Sequence, residues 1–242
     1  MPSAPEDEIR TRLQSVRERI QAAAERAGRD PDVVRIVAVT KSHPAEVVRA
    51  AYAAGVQLIG ENRVEEAETK QSALIDLPDL EWHMVGHIQS RKARRAAEAF
   101  FMVHSVDRIK IAELLNREVG AAGRVLPVLL ECNVSGEGSK WGWPLADRLA
   151  WPQAAADFAE IAKLPNLDVL GLMTMAPWVQ HPESARPVFR KLWELREYLR
   201  SETSQEWLEL SMGMSDDFEI AVEEGATMLR LGRVVFGPRP EP

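Results

Sequence analysis

The sequence contains only one cysteine, Cys132, in 242 residues. A single thiol cannot form an internal disulfide, and Cys132 lies in an apolar run, so we expect a buried, inert thiol in a reducing cytoplasm. No apolar stretch approaches the length that crosses a membrane. The acidic residues Glu6, Asp7 and Glu8 stand where a signal peptide would be basic and then apolar. We therefore expect a cytoplasmic protein that is neither exported nor embedded in a membrane.

Basic residues are fewer than acidic ones, 30 Lys and Arg against 37 Asp and Glu, so the formal net charge is −7 at pH 7. This disfavours nucleic acid as a main partner, because affinity for a phosphate backbone depends on clustered Lys and Arg. One basic cluster is present, and it is typical of a solvated helix face, with anion binding as the alternative. It consists of Arg91, Lys92, Arg94 and Arg95.

The first 30 residues predict a long amphipathic helix. Residues Ser3 to Glu6 fit a capping box, in which two side chains satisfy backbone amides at a helix start. Apolar residues then recur at spacings of four, three and four, which places them on one helix face. These residues are Ile9, Leu13, Val16 and Ile20.

After this helix, short apolar or β-branched runs alternate eight times with helical patterns, which is typical of βα units around a parallel sheet. The predicted strands are Arg35–Thr40, Gln57–Ile59, Glu81–Val85, Phe101–His104, Val125–Cys132, Leu167–Met173, Glu209–Ser211 and Met228–Leu231. The predicted helices between them are Ala45–Ala54, Arg63–Ser72, Ser90–Glu98, Arg108–Val119, Ala146–Lys163, Pro182–Leu199 and Phe218–Glu223.

The alternation predicts an α/β fold, a single (β/α)8 TIM barrel that forms one domain over residues 1–242. The length suits this fold, which typically takes about 250 residues. Strand number alone does not prove that the sheet closes, so a doubly wound open sheet is the alternative. Residues 238–242 are predicted to be a frayed tail.

In barrels of this type, the chemistry lies where strands end and the following loops begin. The first strand ends at Lys41, and alternation puts Val37, Val39 and Lys41 on one face. If that face is the barrel interior, the amine points into an apolar mouth. Its proton affinity then falls, as a lysine that attacks a carbonyl to form a Schiff base requires. Spacing alone favours the alternative, a solvated lysine.

The second and third strands end in further polar residues. Asn62 follows the second strand and has the chemistry to bind a ring hydroxyl or an oxyanion, although it also fits an ordinary loop. On the third strand, His83, Val85 and His87 share a face. Two histidines suggest zinc, but no nearby Cys or third His completes a ligand set, so we expect no metal. His87, at the rim, is the better candidate for a polar contact or proton carrier.

The ends of the seventh and eighth predicted strands indicate a phosphate site. Ser211 to Asp217 lead from a strand into a helix predicted to begin near Asp216, and Gly213 allows close approach of a ligand. Free amides with the hydroxyls of Ser211 and Ser215 would form a phosphate cradle at that helix N-terminus. The loop after the eighth strand adds Gly232 and Arg233, and these two loops are the recurrent phosphate site of the fold. The alternative is two unrelated glycine turns.

Arg230 lies on the same strand face as Met228 and Gly232. A guanidinium inside a barrel needs a partner. That partner is either a core carboxylate or a pyridine nitrogen. In the second case, the fixed positive charge would keep the nitrogen unprotonated, weaken the ring as an electron sink and disfavour carbanion chemistry.

Six motifs together resemble the pyridoxal phosphate homeostasis protein family, in order over nearly the whole chain. They are Val37-Ala-Val-Thr-Lys41, Gly60-Glu-Asn62, Trp82-His-Met-Val-Gly-His87-Ile-Gln-Ser90, Gly171-Leu-Met-Thr-Met175, Leu210-Ser-Met-Gly-Met-Ser-Asp216 and Met228-Leu-Arg-Leu-Gly232. The resemblance implies a fold type III barrel, similar to alanine racemase, in which Lys41 forms a Schiff base with pyridoxal 5′-phosphate (PLP). It also implies a role in vitamin B6 homeostasis without firmly established turnover.

The resemblance and the strand ends together predict the PLP contacts. These are Val39, Lys41, Asn62, Met173, Ser211, Gly213, Met214, Ser215, Arg230, Gly232 and Arg233. The sequence departs from the family pattern at Arg63, where tyrosine is expected, and at Arg233, where threonine or serine is expected. Arg233 either makes a charge-assisted bond to phosphate or swings outward. Lys140, in the loop after the fifth strand, is either a second amine for the cofactor or a solvated loop lysine.

We expect a PLP carrier or buffer that supplies apo-enzymes, rather than an amino-acid racemase. A racemase needs acid and base groups on opposite faces of the substrate, and related racemases complete the site with a second domain of a partner chain. The sequence stops soon after the eighth strand, so we expect an open site, with His87 the one obvious base besides Lys41. We also expect a monomer. A third possibility is a lysine aldolase that forms a Schiff base with a phosphorylated sugar.

Overall fold

The computed structural model describes residues 5–138 and 140–238 of the chain. Its strands are β1 Arg35–Val39, β2 Leu58–Glu61, β3 Glu81–Met84, β4 Met102–Val106, β5 Leu126–Asn133, β6 Trp143–Pro144, β7 Leu167–Met173, β8 Glu209–Ser211 and β9 Met228–Leu231. Its α-helices are α1 Pro5–Arg26, α2 Ala45–Ala53, α3 Val64–Ala73, α4 Ala93–Ala99, α5 Ile109–Ala121, α6 Trp151–Ala162, α7 Arg186–Glu202, α8 Phe218–Glu223 and α9 Arg233–Phe236. Short 3-10 turns span Pro31–Val33, Ser90–Lys92, Arg148–Ala150 and Pro182–Ala185.

Eight of the strands form a closed parallel barrel. The strand order is β4, β3, β2, β1, β9, β8, β7, β5, and β5 pairs back with β4. This confirms the (β/α)8 barrel and excludes the doubly wound alternative, because a doubly wound sheet has two open edges. β6 pairs only with the end of β5, through Cys132 and Asn133.

Alternate residues of β1 face different cores. Val37 and Val39 pack with Val85 inside the barrel, whereas Ala38 packs in the larger core between the strands and the surrounding helices. The same period of two sends every second side chain of the other strands inward. The residue after β1 on the inward face, two positions beyond Val39, is Lys41.

Helix α1 lies across the outside of the barrel and contacts α2, α8 and α9. Its apolar face is buried as the spacing predicts, at Ile9, Leu13, Val16 and Ile20. Within the described ranges, the structure contains no helix long and apolar enough to cross a membrane. The predicted capping residue Ser3 and tail residues 239–242 lie outside the described residues.

Several predicted boundaries were wrong. The helix predicted at Phe218–Glu223 has these bounds, but it starts two residues after the position near Asp216 that the phosphate-site argument assumed, because Met214 to Asp217 close a turn first. The helix expected from Ala146 begins at Trp151, because the Asp147 side chain accepts a hydrogen bond from the Leu149 amide and caps a 3-10 turn there. The sequence patterns also missed two short elements, β6 and α9.

The predicted basic cluster lies on and just before α4 and is matched by carboxylates. Arg95 pairs with Glu65 and Glu68 on the neighbouring helix α3, and Lys92 also pairs with Glu65. Arg94 pairs with a carboxylate one turn along its own helix. Three of the four cations therefore pair with carboxylates on the helix surface, and Arg91 donates a hydrogen bond to Gln89 Oε1.

Candidate functional site

A pocket of about 420 Å³ opens at the carboxyl ends of the barrel strands. This volume is in the usual range for small-molecule sites. Eight of the eleven predicted PLP contacts line it, together with the predicted proton carrier His87. The eight are Val39, Lys41, Asn62, Met214, Ser215, Arg230, Gly232 and Arg233.

Three predicted contacts do not line the pocket. Met173 is buried one layer lower in the barrel interior, in a cluster with Met102, Leu129 and Met228. Ser211 is also fully buried below the pocket. Gly213 shapes the turn beneath the pocket wall: its φ is +93°, and a Cβ there would lie 2.6 Å from Ala221 Cβ. Only glycine adopts this backbone without strain.

Lys41 begins a tight turn directly after β1. The next residue, Ser42, has a φ of +66°, which is uncommon for a residue with a side chain. The Ser42 amide donates a hydrogen bond of 2.7 Å to Glu66 Oε1, and the His43 amide donates one of 3.0 Å to the Thr40 carbonyl. These bonds hold the turn that presents Lys41 to the pocket.

A buried group of charges, which we call the Lys70 cluster, supports this turn from behind. It consists of Thr40, Glu61, Glu66 and Lys70. Lys70 Nζ lies 2.5 Å from Glu61 Oε1, 2.8 Å from Glu66 Oε1 and 2.7 Å from the Thr40 carbonyl oxygen. Burial raises the pKa of the Glu61 carboxyl, and its hydrogen bonds with Lys70 and Thr40 oppose that rise. The cluster therefore joins α3 to the strand end that carries Lys41.

The sequence patterns did not identify the Lys70 cluster. The available signal was the spacing of Glu66 and Lys70, which are four residues apart on α3 and therefore neighbours on the helix surface. Nothing in that spacing indicates that the pair is buried or that Glu61 joins it.

The turn after β8 presents unpaired backbone donors to the pocket. The Met214 amide donates to Asp217 Oδ1 at 2.6 Å, and the Asp217 amide donates to the Met214 carbonyl at 3.1 Å. The amides of Ser215, Asp216 and Arg233 donate to no acceptor within the described residues. The segment predicted to form an anion cradle is thus a turn that precedes α8 and lies beside the start of α9.

The Arg233 side chain lies at the rim of the pocket, where it pairs with Asp216. More than half of the side chain is exposed. Lys140 does not line the pocket: its Nζ donates a hydrogen bond of 2.9 Å to the Met175 carbonyl oxygen and lies 3.1 Å from Glu137 Oε2. Both cations therefore have partners of their own in the loops around the pocket.

Arg230 is the buried cation of the pocket, with 5% of its surface exposed. Its Nη1 donates to Ser211 Oγ at 2.7 Å, and its Nη2 donates to the Thr174 carbonyl oxygen at 2.8 Å. Burial lowers the pKa of Arg230 to about 10, while Glu131 and Asp217 oppose that change. The guanidinium therefore stays charged at neutral pH, and its hydrogen-bond partners are neutral.

Glu131 is a pocket residue that the sequence analysis did not single out. It lies on β5, lines the pocket and is 3% exposed. Burial, and to a smaller extent the charge of Asp107, raise the pKa of its carboxyl to about 7 against the opposing charge of Arg230. The available signal was a carboxylate inside an otherwise apolar strand, since such a residue is rarely buried without a functional or structural reason.

The two histidines of the third strand region occupy different environments. His87 stacks on Trp141 at the pocket, with ring centroids 3.8 Å apart, and its Nδ1 lies 2.9 Å from Asp107 Oδ2 without the alignment of a hydrogen bond. His83 lies in the barrel interior beside His104. Both face the inside of the barrel but at different depths, because β3 ends at Met84 and His87 follows it in the loop at the mouth.

Over residues 5–138 and 140–238, no three His, Cys, Asp or Glu side chains are arranged to hold a metal ion. Cys132 is a buried free thiol, as predicted, and burial raises its pKa well above the ordinary value.

Comparison with known proteins gives consistent matches over the whole barrel. Residues 11–240 match the family described as alanine racemase, N-terminal domain. A protein of Aquifex aeolicus named pyridoxal phosphate homeostasis protein is 43% identical over 229 residues, which are 94% of this chain and 97% of that protein. A protein of the same name from Pseudomonas aeruginosa is 44% identical over 231 residues, 96% of each chain.

Solved structures show the same similarity. PipY of Synechococcus elongatus, solved with PLP bound, is 39% identical, with a TM-score of 0.80 over 95% of this chain and 100% of that chain. An alanine racemase of Clostridium difficile is 13% identical, with a TM-score of 0.70 over 97% of this chain and 58% of that chain. At that identity, the second match shows a shared fold only.

Proposed function

The chain belongs to the pyridoxal phosphate homeostasis protein family, and we propose that it binds PLP through a Schiff base with Lys41 and serves as a PLP carrier or buffer. The observation that carries this proposal is that three kinds of chemical group line one pocket. Lys41 supplies an amine, the loops after β8 and β9 supply free backbone amides, and Arg230 supplies a buried charge.

Each of these chemistries fits one part of PLP. The Lys41 amine suits the aldehyde. The amides of Ser215, Asp216 and Arg233 suit the phosphate, since converging backbone donors form an anion-binding concavity. The Arg230 guanidinium suits the ring nitrogen. When bound, PLP supplies a reversible covalent bond to amines and an electron-withdrawing ring.

The charge of Arg230 favours a carrier over an enzyme of carbanion chemistry. A guanidinium that stays charged beside the ring nitrogen opposes protonation of that nitrogen, and so limits electron withdrawal by the ring. Arg230 is held by hydrogen bonds to two buried residues, Ser211 and Thr174. These bonds leave the guanidinium little freedom to move away. PLP in such a site would be bound and released without strong activation for carbanion chemistry.

A second candidate function, amino-acid racemisation, is favoured by one observation. Glu131 lines the same pocket as Lys41, and the pKa of its carboxyl is about 7, which is the value that suits a general acid or base at neutral pH. Lys41 and His87, which line the same pocket, are also capable of proton transfer.

The first experiment tests the Schiff base. Purified protein incubated with PLP should develop a visible absorption band, and borohydride reduction followed by mass spectrometry should find the label on Lys41. Lys41→Ala should abolish both signals, whereas the matched control Lys140→Ala, which removes an amine from a nearby loop, should keep them. A label on another residue contradicts the proposal, and a colourless protein that is trapped only with a sugar phosphate supports an aldolase.

The second experiment separates carrier from racemase. The holo-protein should reactivate an apo-PLP enzyme and should not speed the entry of solvent deuterium at the α-position of amino acids beyond the rate with free PLP. Rapid exchange that Glu131→Gln removes would establish turnover and overturn the carrier proposal.

A further inference from the structure

Four buried side chains form a continuous row through the barrel interior beneath the pocket. Ser211 Oγ accepts from Arg230 Nη1 at 2.7 Å and lies 2.9 Å from His104 Nδ1. His104 Nε2 in turn lies 2.9 Å from His83 Nδ1. We call this row of Arg230, Ser211, His104 and His83 the barrel relay. Strands β9, β8, β4 and β3 contribute one residue each.

The chemistry of Arg230, at the pocket end of the barrel relay, sets the direction of the hydrogen bonds. A guanidinium can only donate, so Ser211 Oγ is the acceptor of the bond from Arg230. The serine proton then needs an acceptor of its own, and His104 Nδ1 is the acceptor within reach among the described residues. His104 Nδ1 is therefore unprotonated, and the proton of the neutral ring is on Nε2.

The His83 end of the barrel relay agrees with this direction of the hydrogen bonds. With its proton on Nε2, His104 donates to His83 Nδ1, so His83 carries its own proton on Nε2. This Nε2 is buried without a hydrogen bond and lies 3.8 Å from Glu81 Oε2. A carboxylate only accepts, so an N–H facing Glu81 is favoured over a lone pair facing it.

If the hydrogen bonds of the relay ran in the opposite direction, two buried polar groups would lack suitable partners. The Ser211 proton would lose its acceptor, and the His83 lone pair would point at a carboxylate. Charged histidines are also disfavoured, because burial lowers the pKa of His83 to about 3 and of His104 well below its ordinary value. Arg35 acts in the same sense on both rings, and Arg230 acts so on His104.

We propose that His83, His104 and Ser211 are positioning residues that hold the Arg230 guanidinium through a relay of one direction, with the Glu81 carboxylate as its negative end. Each donor in the row polarises the next, which makes Ser211 Oγ a stronger acceptor for the guanidinium. The relay thereby fixes Arg230 without a carboxylate in contact with it. This inference deepens the proposed function, since it concerns the cation that is proposed to meet the PLP ring.

The first test measures the tautomers directly and needs no ligand. In ¹⁵N NMR of the histidine side chains of the full chain at pH 7, His83 and His104 should both be neutral, with the proton on Nε2. His104→Gln and His83→Gln variants assign the signals. A proton on Nδ1 of His104, or a charged imidazole at either position, would overturn the relay.

The second test asks whether the relay acts on the PLP site. His104→Leu removes both ring nitrogens, and PLP affinity should fall on the order of tenfold, as for a lost hydrogen bond to a charged group. His104→Asn retains an acceptor near the Nδ1 position and should recover most of the affinity. The visible band should also titrate at higher pH in His104→Leu, because a displaced guanidinium no longer opposes a proton on the Schiff base.

Ser211→Ala serves as a second variant if His104→Leu does not fold, and it should give the same weakened affinity and shifted titration. A folded variant with the affinity and titration of the unmodified protein would contradict the relay. If the unmodified protein forms no visible band, the proposed function fails, while the tautomer measurement still decides the relay.

Discussion

Two buried cations, Lys70 and Arg230, are held in opposite ways on two sides of the same barrel mouth. Each is 5% exposed. Lys70 lies between the carboxylates of Glu61 and Glu66 and a backbone carbonyl. Arg230 instead contacts a hydroxyl and a backbone carbonyl, and the carboxyl groups of Glu131 and Asp217 act on it only at longer range.

The contrast separates a charge that serves the fold from one that remains available to a ligand. The charge of Lys70 is neutralised by its immediate partners, and Lys70 does not line the pocket. Arg230 does line the pocket, and its hydrogen-bond partners are neutral, so no carboxylate neutralises its charge by direct contact. A buried cation with neutral partners is costly, so its presence at a pocket points to a ligand.

Removing Lys70 gives the largest expected effect. Lys70→Met leaves the Glu61 carboxylate buried without its cation, and we expect a loss of about 3 to 5 kcal/mol in the free energy of unfolding. The loss should be greater at pH 8 than at pH 5, because Glu61 without Lys70 becomes easier to protonate. Urea unfolding at both pH values measures it.

The double variant Glu61→Gln with Lys70→Met is the matched control. It removes both charges together, so it should recover a large part of the lost stability. A loss below about 1 kcal/mol for Lys70→Met alone would mean that the Lys70 cluster is effectively solvated, and the contrast with Arg230 would no longer hold.

Neutralising Glu131 gives the next largest expected effect on stability. It tests whether the Glu131 carboxyl is mostly uncharged and therefore does not neutralise the charge of Arg230. The pKa of the Glu131 carboxyl is about 7 in the folded protein, above its ordinary value of 4.5. A raised folded pKa means that the stabilising contribution is complete below pH 4.5 and is lost as the pH rises through 7. The shift corresponds to up to about 3 kcal/mol.

We therefore expect Glu131→Gln to gain stability relative to the unmodified protein between pH 5 and pH 8, by up to about 3 kcal/mol in urea unfolding. Glu160→Gln, at an exposed carboxylate on α6, is the control and should show no such trend. Parallel stability curves for Glu131→Gln and the unmodified protein would show that Glu131 is charged throughout and compensates Arg230.

The fold was predictable because the barrel is encoded locally, in eight alternations of strand and helix patterns. The place of the pocket agrees with a rule about strand ends, and the structure brings Lys41 and the loop residues Ser215 and Gly232 to the same mouth. Both predictions depend on the order of elements along the chain, and not on which side chains meet.

The missing parts of the site depend on contacts between distant strands. His104 and Ser211 are 107 residues apart in sequence, and only barrel closure brings them within 2.9 Å. Ser211 was predicted to contact phosphate because it ends a strand beside a glycine turn. Ser211 is instead the last residue of β8, and its buried hydroxyl contacts Arg230 and His104 in the barrel interior.

The smallest expected effect concerns Arg95, a surface counterpart of Lys70. Arg95 also contacts two carboxylates, Glu65 and Glu68, but its side chain is 44% exposed. Water and salt screen such contacts, so Arg95→Ala should cost less than about 1 kcal/mol in urea unfolding, and less still at high salt. A loss as large as that of Lys70→Met would show that the number of ion pairs, and not burial, makes Lys70 important. A small loss would leave burial as the property that distinguishes the Lys70 cluster from the surface, and neutral partners as the property that distinguishes Arg230 from both.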